Sequence, residues 1–497
     1  LKNLLIGIDV GTTGLKVALY TLNGQLVARA YREYSLSFPQ NGWAEIDPEI
    51  WWEQLGDCMK EIRSQNGVDL KAVAGIGITC SNSLVLLNAD QQAVLPAIMQ
   101  LDQRAVRQAE AMKSEYGQEW VFQKTGNRVS SGAFWGPSLQ WVRENRPSLY
   151  RQAQFFLVPT GFLVLRLTGV YSIDHSRATT TMLYNIHEKN WDAELCHVFG
   201  LSPEALPPIY PSHEVVGTIH KEGERATGLP SGTPVIAGAM DTVGALAGMG
   251  TGPDTGALIM GSVGRLCIES NELDIRFMNT VNYDASSSLI MTPVNSAGVS
   301  YKWAKQLFFS EDQGPGNIYK KMDRMAQAIA PGAEGLIYMP YLAGERSPIW
   351  DPHATGSFMG FTMKHGKGHF LRAVLEGVGL ALAQNHEILK DELNIDPPFL
   401  MAGGGGAGSQ VWMQIISDML GKPLYIPEKL ETETMGAAML TGVGVGLFSD
   451  LSQVNKDWVR VSETVMPRMD VNAQYRELLS RFKTISIQNR SLFQQLK

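Results

Sequence analysis

One pattern occurs twice, and it limits the folds open to the chain more than any other feature. Residues 6–20 read IGIDVGTTGLKVALY, and residues 255–270 read TGALIMGSVGRLCIES. Each is a strand-like apolar run, a bend of glycine and hydroxyl residues, and a second strand-like run. At 497 residues the chain is too long for one core, and the return of the pattern near its middle points to two related halves. The first half continues with strand-like alternation over 25–35 and apolar positions at helical spacing over 49–64. Strands are expected at 73–79 and 83–99, the latter with a turn at 88–92, and a helix over 103–116. Residues 120–230 are mixed and rich in helix, with turns at 207–208 and 228–230. A strand, a glycine turn and a helix then fill 234–250. In the second half, helical segments are expected near 301–309, 317–330 and 368–393. Residues 398–420 read as a strand, a glycine run and an amphipathic helix. Strands alternating with helices predict a layered α/β fold. The boundary is expected in the glycine-dense stretch 245–255, dividing the chain into domains 1–247 and 248–497.

The remaining composition excludes several classes. A net charge of −7 argues against a nucleic-acid-binding surface. The four cysteines, Cys58, Cys80, Cys196 and Cys267, lie far apart with no C-x-x-C spacing, so neither a disulfide framework nor a zinc site is expected. None of the nine histidines falls in an H-E-x-x-H spacing. The start of the chain lacks a signal-peptide pattern, and no apolar stretch nears the roughly 20 residues of a membrane span. A soluble, cytoplasmic protein is the expectation.

Four constellations carry chemistry. In the first bend, Gly11, Thr12, Thr13 and Gly14 form either a plain hairpin turn or a phosphate loop. In the second case backbone N–H groups and threonine hydroxyls bind anionic oxygens, and Asp9 holds Mg²⁺ through water. Gly261, Ser262, Val263 and Gly264 repeat the arrangement, so a polyphosphate gripped from both halves is expected. Gly403, Gly404, Gly405 and Gly406 follow a strand and precede a helix, which suits close approach of an adenine ring or a phosphate. The alternative is an ordinary glycine-rich helix entry. Asp241, after an apolar strand and before a glycine–alanine helix, is either a general base or a helix N-cap. Trp51 and Trp52 read as packing residues, and Glu45 and Asp47 as solvated loop charges.

Together these residues resemble the FGGY family of carbohydrate kinases, in its xylulokinase-like branch, over essentially the whole chain. The resemblance rests on IGIDVGTTGLKVALY, GWAEIDPEIWW (42–52), MQLDQRA with Asp102 and Arg104, and GAMDTVGALAGMG around Asp241. It continues through YMPYLAGERSPIWDPHATGSFMGF (338–361), HFLRAVLEG (369–377) and AGGGGAGSQVWMQIISDMLGKPL (402–424). It implies two actin-like ATPase (ribonuclease H-like) domains flanking a catalytic cleft, the N-terminal on the sugar side and the C-terminal on the nucleotide side. It implies ATP and Mg²⁺ as cofactors, Asp241 as catalytic base and Asp9 as the Mg²⁺-organising carboxylate. Gly11, Thr12, Thr13, Gly261 and Ser262 would contact phosphates, and Gly403, Gly404 and Gly405 the nucleotide. Asn82, Asp102 and Arg104 are expected beside Asp241 on the substrate side. The partner is a small sugar, polyol or aldonate, with neither nucleic acid nor membrane; a homodimer is compatible.

Departures from the family pattern gather on the sugar side. Cys80-Ser81-Asn82 stands where xylulokinases usually carry glutamine–methionine–histidine. Gln100 replaces a tryptophan, Ser138 a lysine, and Thr160-Gly161 a lysine–aspartate pair. Arg177 occupies an expected acidic position, and Phe361 a smaller aliphatic one. Arg177 is either an exposed or ion-paired arginine, or a fork reaching the cleft for an acceptor carboxylate. The leading expectation is an ATP-dependent kinase of a small linear sugar or sugar alcohol, pentulose-type favoured and D-xylulose itself doubtful. The alternatives are a gluconokinase-type enzyme and a non-catalytic nucleotide-binding sensor of the same fold.

Overall fold

The computed structural model describes residues 2–65, 67–310, 317–429, 431–493 and 495. The chain forms two compact units. The first comprises Leu1–Gly250, Asn279–Ser288 and Glu431–Val459, and the second Thr251–Met278, Leu289–Leu430 and Arg460–Lys497. The chain leaves the first unit at Gly250 and returns to it twice, so neither compact unit is one continuous segment.

In the first unit the sheet order is Val215–Thr218, Pro234–Ile236, Val73–Cys80, Leu4–Val10, Gly14–Thr21, Leu26–Glu33. Leu4–Val10 runs antiparallel to Gly14–Thr21 and parallel to Val73–Cys80, which sets Asp9 opposite Lys16 and Thr79. Leu4–Val10 and Val73–Cys80 are buried along their whole length. Such strands read as continuous apolar runs, and the polar residues Asp9 and Thr79 stand out near their C-terminal ends.

The second return has a steric reason. Helix Thr432–Gly444 lies directly on these strands: a Cβ on Gly7 would fall 1.8 Å from the Thr434 carbonyl oxygen, and one on Gly77 2.4 Å from that of Ala437. A Cβ on Gly436 would fall 1.8 Å from the Gly244 carbonyl oxygen, in helix Asp241–Met249. Backbones approach this closely only where side chains are missing.

The second unit repeats the local plan. Gly256–Met260 pairs antiparallel with Gly264–Ser270 and parallel with Leu400–Gly403. Its sheet continues through Leu424–Pro427 to Val461–Val465. Against it pack the expected helices, observed as Gly298–Phe309, Ile318–Gln327 and Lys367–Asp391, and a C-terminal helix, Met469–Phe493. Among the described residues no helix is long and apolar enough to cross a membrane, and the four cysteines are buried and unbridged.

Candidate active site

The first unit gathers its polar side chains at the C-terminal ends of its parallel strands. Asp9 is 5% exposed. Thr79 donates its hydroxyl to Asp9 Oδ1 at 3.0 Å, and Lys16 Nζ stands 4.0 Å from Oδ2. Burial pushes the Asp9 carboxyl up to about 7; the carboxylates of Glu433 and Asp241 add to this, while Lys16 and Thr79 oppose it. The adjoining turn is a true hairpin, closed by Gly11 N–H donating to the Gly14 carbonyl at 2.9 Å. Tyr34 braces it from outside, donating its hydroxyl to the Gly11 carbonyl at 2.6 Å. A Cβ on Gly14 would lie 2.4 Å from the Tyr31 ring, so a larger residue would displace that exposed side chain. Thr13 remains exposed, and Thr12 accepts from Gln100 Nε2 at 3.3 Å. The turn thus has hairpin geometry and presents a hydroxyl outward.

Asp241 opens helix Asp241–Met249, directly after Ala239–Met240, whose Met240 pairs with Cys80. The N-cap is Met240, so the N-cap reading of Asp241 is corrected: its carboxylate lies in the first turn. Oδ1 accepts from Thr242 N–H at 2.7 Å, the Thr242 hydroxyl at 3.3 Å and Arg177 Nη2 at 3.3 Å. Among the described residues nothing donates to Oδ2. The side chain is 32% exposed. One oxygen is anchored and the other is open, an arrangement suited to accepting a proton.

Arg177 is not a surface arginine. Its side chain is 1% exposed, and its Nη2 donates to the Cys80 carbonyl as well as to Asp241. It sits on the short helix His175–Ala178, capped by Asp174, which accepts from Ser176 N–H at 2.8 Å. Burial raises the Asp174 carboxyl to about 6, with hydrogen bonds from Ser176 and the charge of Arg177 pulling it back. The charge tolerates enclosure because it is paired.

Three expected substrate residues hold protein partners in the first unit. Asn82 donates from Nδ2 to the Ala133 carbonyl at 2.8 Å and accepts at Oδ1 from Thr180 at 3.2 Å. Asp102 is fully buried: Oδ1 accepts from Arg104 N–H at 2.9 Å and Nε at 2.8 Å, and Oδ2 from Ala44 N–H and Arg104 Nη2, both at 2.7 Å. Arg104 spends its remaining edge on Glu45 at 2.7 Å and stacks 3.9 Å from the Trp43 ring centre. Asp102 and Arg104 thus form an internal clamp, and Glu45 is corrected from a solvated charge to its third member. Trp51 packs in the core, as its spacing suggested, with Phe162 edge-on at 6.2 Å.

In the second unit, Gly261 and Ser262 are exposed at their bend. Their carbonyls accept from Gly298 N–H and Ala297 N–H, both at 3.0 Å, which pins the turn to the start of helix Gly298–Phe309. Gly403 ends its strand and Gly404 adopts φ +83°, where a Cβ would also strike the Met260 carbonyl at 2.7 Å. Around Gly405 the space is open. Beside the run lies a cavity of about 1560 Å³, lined in part by Ile318, Arg324, Ala407, Gly408, Val411 and Ile415. Sequence spacing gave no sign of this cavity, because its walls come from distant segments. The segment 369–377 proves structural: Arg372 donates to Glu376 and to Tyr475, both at 2.6 Å, inside the unit.

The family model of the FGGY carbohydrate kinase N-terminal domain matches residues 4–248, and that of the C-terminal domain matches 254–445. The chain belongs to the FGGY family of carbohydrate kinases. It is 31% identical to a xylulose kinase of Bacillus subtilis, over 99% of this chain and 98% of that one. It is 28% identical to a gluconokinase of the same organism, covering 97% of this chain and 95% of that one. The crystal structure of a xylulose kinase from Rhodospirillum rubrum superposes with a TM-score of 0.91 at 28% identity, covering 99% of this chain and 100% of that one. The chain is therefore an FGGY carbohydrate kinase, a phosphotransferase of the two-domain actin-like fold that uses ATP and acts on a small molecule.

Proposed function

We propose that this FGGY kinase transfers the γ-phosphoryl group of ATP to a hydroxyl of a small linear sugar or sugar alcohol, with Asp241 as general base. The observation that carries the reading is the division of labour on one carboxylate. Oδ1 is held by Thr242 and Arg177, and Oδ2 is open on a part-exposed side chain. As the acceptor oxygen bonds to phosphorus, its proton passes to Oδ2 and ADP departs with the electron pair of the broken P–O bond. Such transfer depends on positioning and charge compensation.

Asp9 is the proposed Mg²⁺ ligand. It fits on charge: burial raises the Asp9 pKa first, and the nearby carboxylates of Glu433 and Asp241 raise it further, a build-up of negative charge that a divalent cation would relieve. Among the described residues no three metal-binding side chains form a protein cage. Mg²⁺ typically needs none, being held by one or two carboxylates, waters and phosphates. When bound, it would neutralise charge developing on the transferred group. Gly11, Thr12 and Thr13 are proposed to contact phosphate from the first unit. Gly261, Ser262, Gly403, Gly404 and Gly405, with the adjoining cavity, are proposed to hold the nucleotide from the second.

A pentulose-type acceptor is favoured by the similarity to xylulose kinases. The replacements at Asn82, Gln100 and Ser138 put D-xylulose itself below the best acceptor, since a mismatched hydroxyl pattern leaves buried polar groups unpaired at about 1–3 kcal/mol each. The test is ATP consumption over a panel of ketoses, polyols and aldonates. One neutral acceptor with kcat/KM well above D-xylulose is expected. D-xylulose as the best of the panel would overturn the substrate argument, and no turnover with any member would favour a nucleotide-binding sensor.

A further inference from the structure

Arg177 stands beside the reacting carboxylate, yet its fork faces inward. Its side chain is 1% exposed, and Nη2 is shared between the Cys80 carbonyl and Asp241 Oδ1. Nε is buried without a partner, a cost that a structure tolerates when the rest of the group is strongly held. Two further contacts fix the frame. Met240 N–H donates to the Ser176 hydroxyl at 2.9 Å, tying the strand that delivers Asp241 to the helix that delivers Arg177. Met240 also pairs with Cys80, whose carbonyl Arg177 grips.

We propose that Arg177 is a positioning residue for Asp241 and does not read the charge of the acceptor. Arg177 and Thr242 N–H hold Oδ1 from two residues, so the carboxylate cannot rotate and Oδ2 keeps its aim. The guanidinium charge is spent on Asp241, with Asp174 also within its field. A carboxylate on the acceptor would meet Asp241 and Asp9 with no free cation from Arg177 to receive it, and like charges disfavour binding. The acceptor class is therefore a neutral polyhydroxyl compound, in preference to an aldonate. This rests on Asp241 being the base.

The experiment compares wild type with Arg177→Met, using D-gluconate and the best neutral acceptor of the panel. A displaced base costs turnover, so kcat should fall about 10–100-fold with the neutral acceptor. Acceptor KM should stay within about threefold, because no binding contact is lost. D-gluconate should be the poorer substrate of wild type. In an Asp241→Asn background, Arg177→Met should cost nothing further, since there is no base left to position. Unchanged kcat, a raised acceptor KM at full kcat, additive losses in the double variant, or D-gluconate as the better substrate would each overturn the proposal. If Arg177→Met fails to melt cooperatively or to bind Mg²⁺-ATP, Arg177→Gln takes its place in the same comparison, as it retains a donor for the Cys80 carbonyl. Full activity of Asp241→Asn alone is a separate outcome and overturns the underlying reading of the base.

Discussion

Two arginine–aspartate pairs of the first unit use the same chemistry to opposite ends. Asp102 and Arg104 are both buried, and each carboxylate oxygen of Asp102 accepts two hydrogen bonds. Glu45 and Trp43 cover what is left of the guanidinium. In the second pair the arginine is as buried as Arg104, but its aspartate is 32% exposed and bonded through one oxygen. A saturated carboxylate can only hold structure together. A half-satisfied one at the end of a strand has an acceptor to offer. The difference lies in the aspartate's free edge, and the arginine is inward in both.

The comparison can be broken most forcefully at the closed pair. Asp102→Ala leaves Arg104 buried with only Glu45, and breaking a buried pair on one side costs about 3–5 kcal/mol. Urea unfolding of the variant should show that loss; a loss below about 1 kcal/mol would mean that the pair is not a clamp. Gly436→Ala tests the frame that carries the open pair. Its added Cβ would lie 1.8 Å from the Gly244 carbonyl, in the helix that begins with Asp241. Overpacking of this kind costs about 1–3 kcal/mol, and a variant as stable as wild type would contradict the close contact. Glu45→Gln keeps an acceptor for Arg104 on a part-exposed side chain, so about 1 kcal/mol is expected from the same unfolding measurement. Asp241→Asn should be the mildest of the four for stability, at or below about 1 kcal/mol, because asparagine retains Oδ1 for Thr242 and Arg177.

Local signals explain what could be read from sequence. The two bends were legible because glycine and hydroxyl residues between two strand-like apolar runs favour a hairpin, and both are hairpins here. Helix 49–64 was legible from its apolar spacing and is observed as Glu49–Ser64. Asp241 was legible as a polar residue ending an apolar run. The direction in which a charged side chain points was not. Asp102 and Arg104 read as substrate-side residues, and their mutual clamp was not legible because the partners that enclose them, Ala44 and Glu45, lie some sixty residues earlier. Arg177 read as an exposed or ion-paired arginine; the ion pair is observed, but its burial was not legible for the same reason: its partners are Cys80 and Asp241. Helix Thr432–Gly444 was not legible because it packs through glycines, and absent side chains leave no hydrophobic period.

The central claim is that the open oxygen of Asp241 takes the acceptor's proton. Its most direct test is kcat of Asp241→Asn with the best acceptor of the panel, alongside Mg²⁺-ATP binding by calorimetry on the same preparation. A fall in kcat of about 10²–10⁴-fold is expected, with nucleotide affinity within about threefold of wild type, since Asp9 and the two hairpins remain. A variant that keeps kcat within about threefold while binding nucleotide normally would contradict it and return Asp241 to a structural role at the start of its helix.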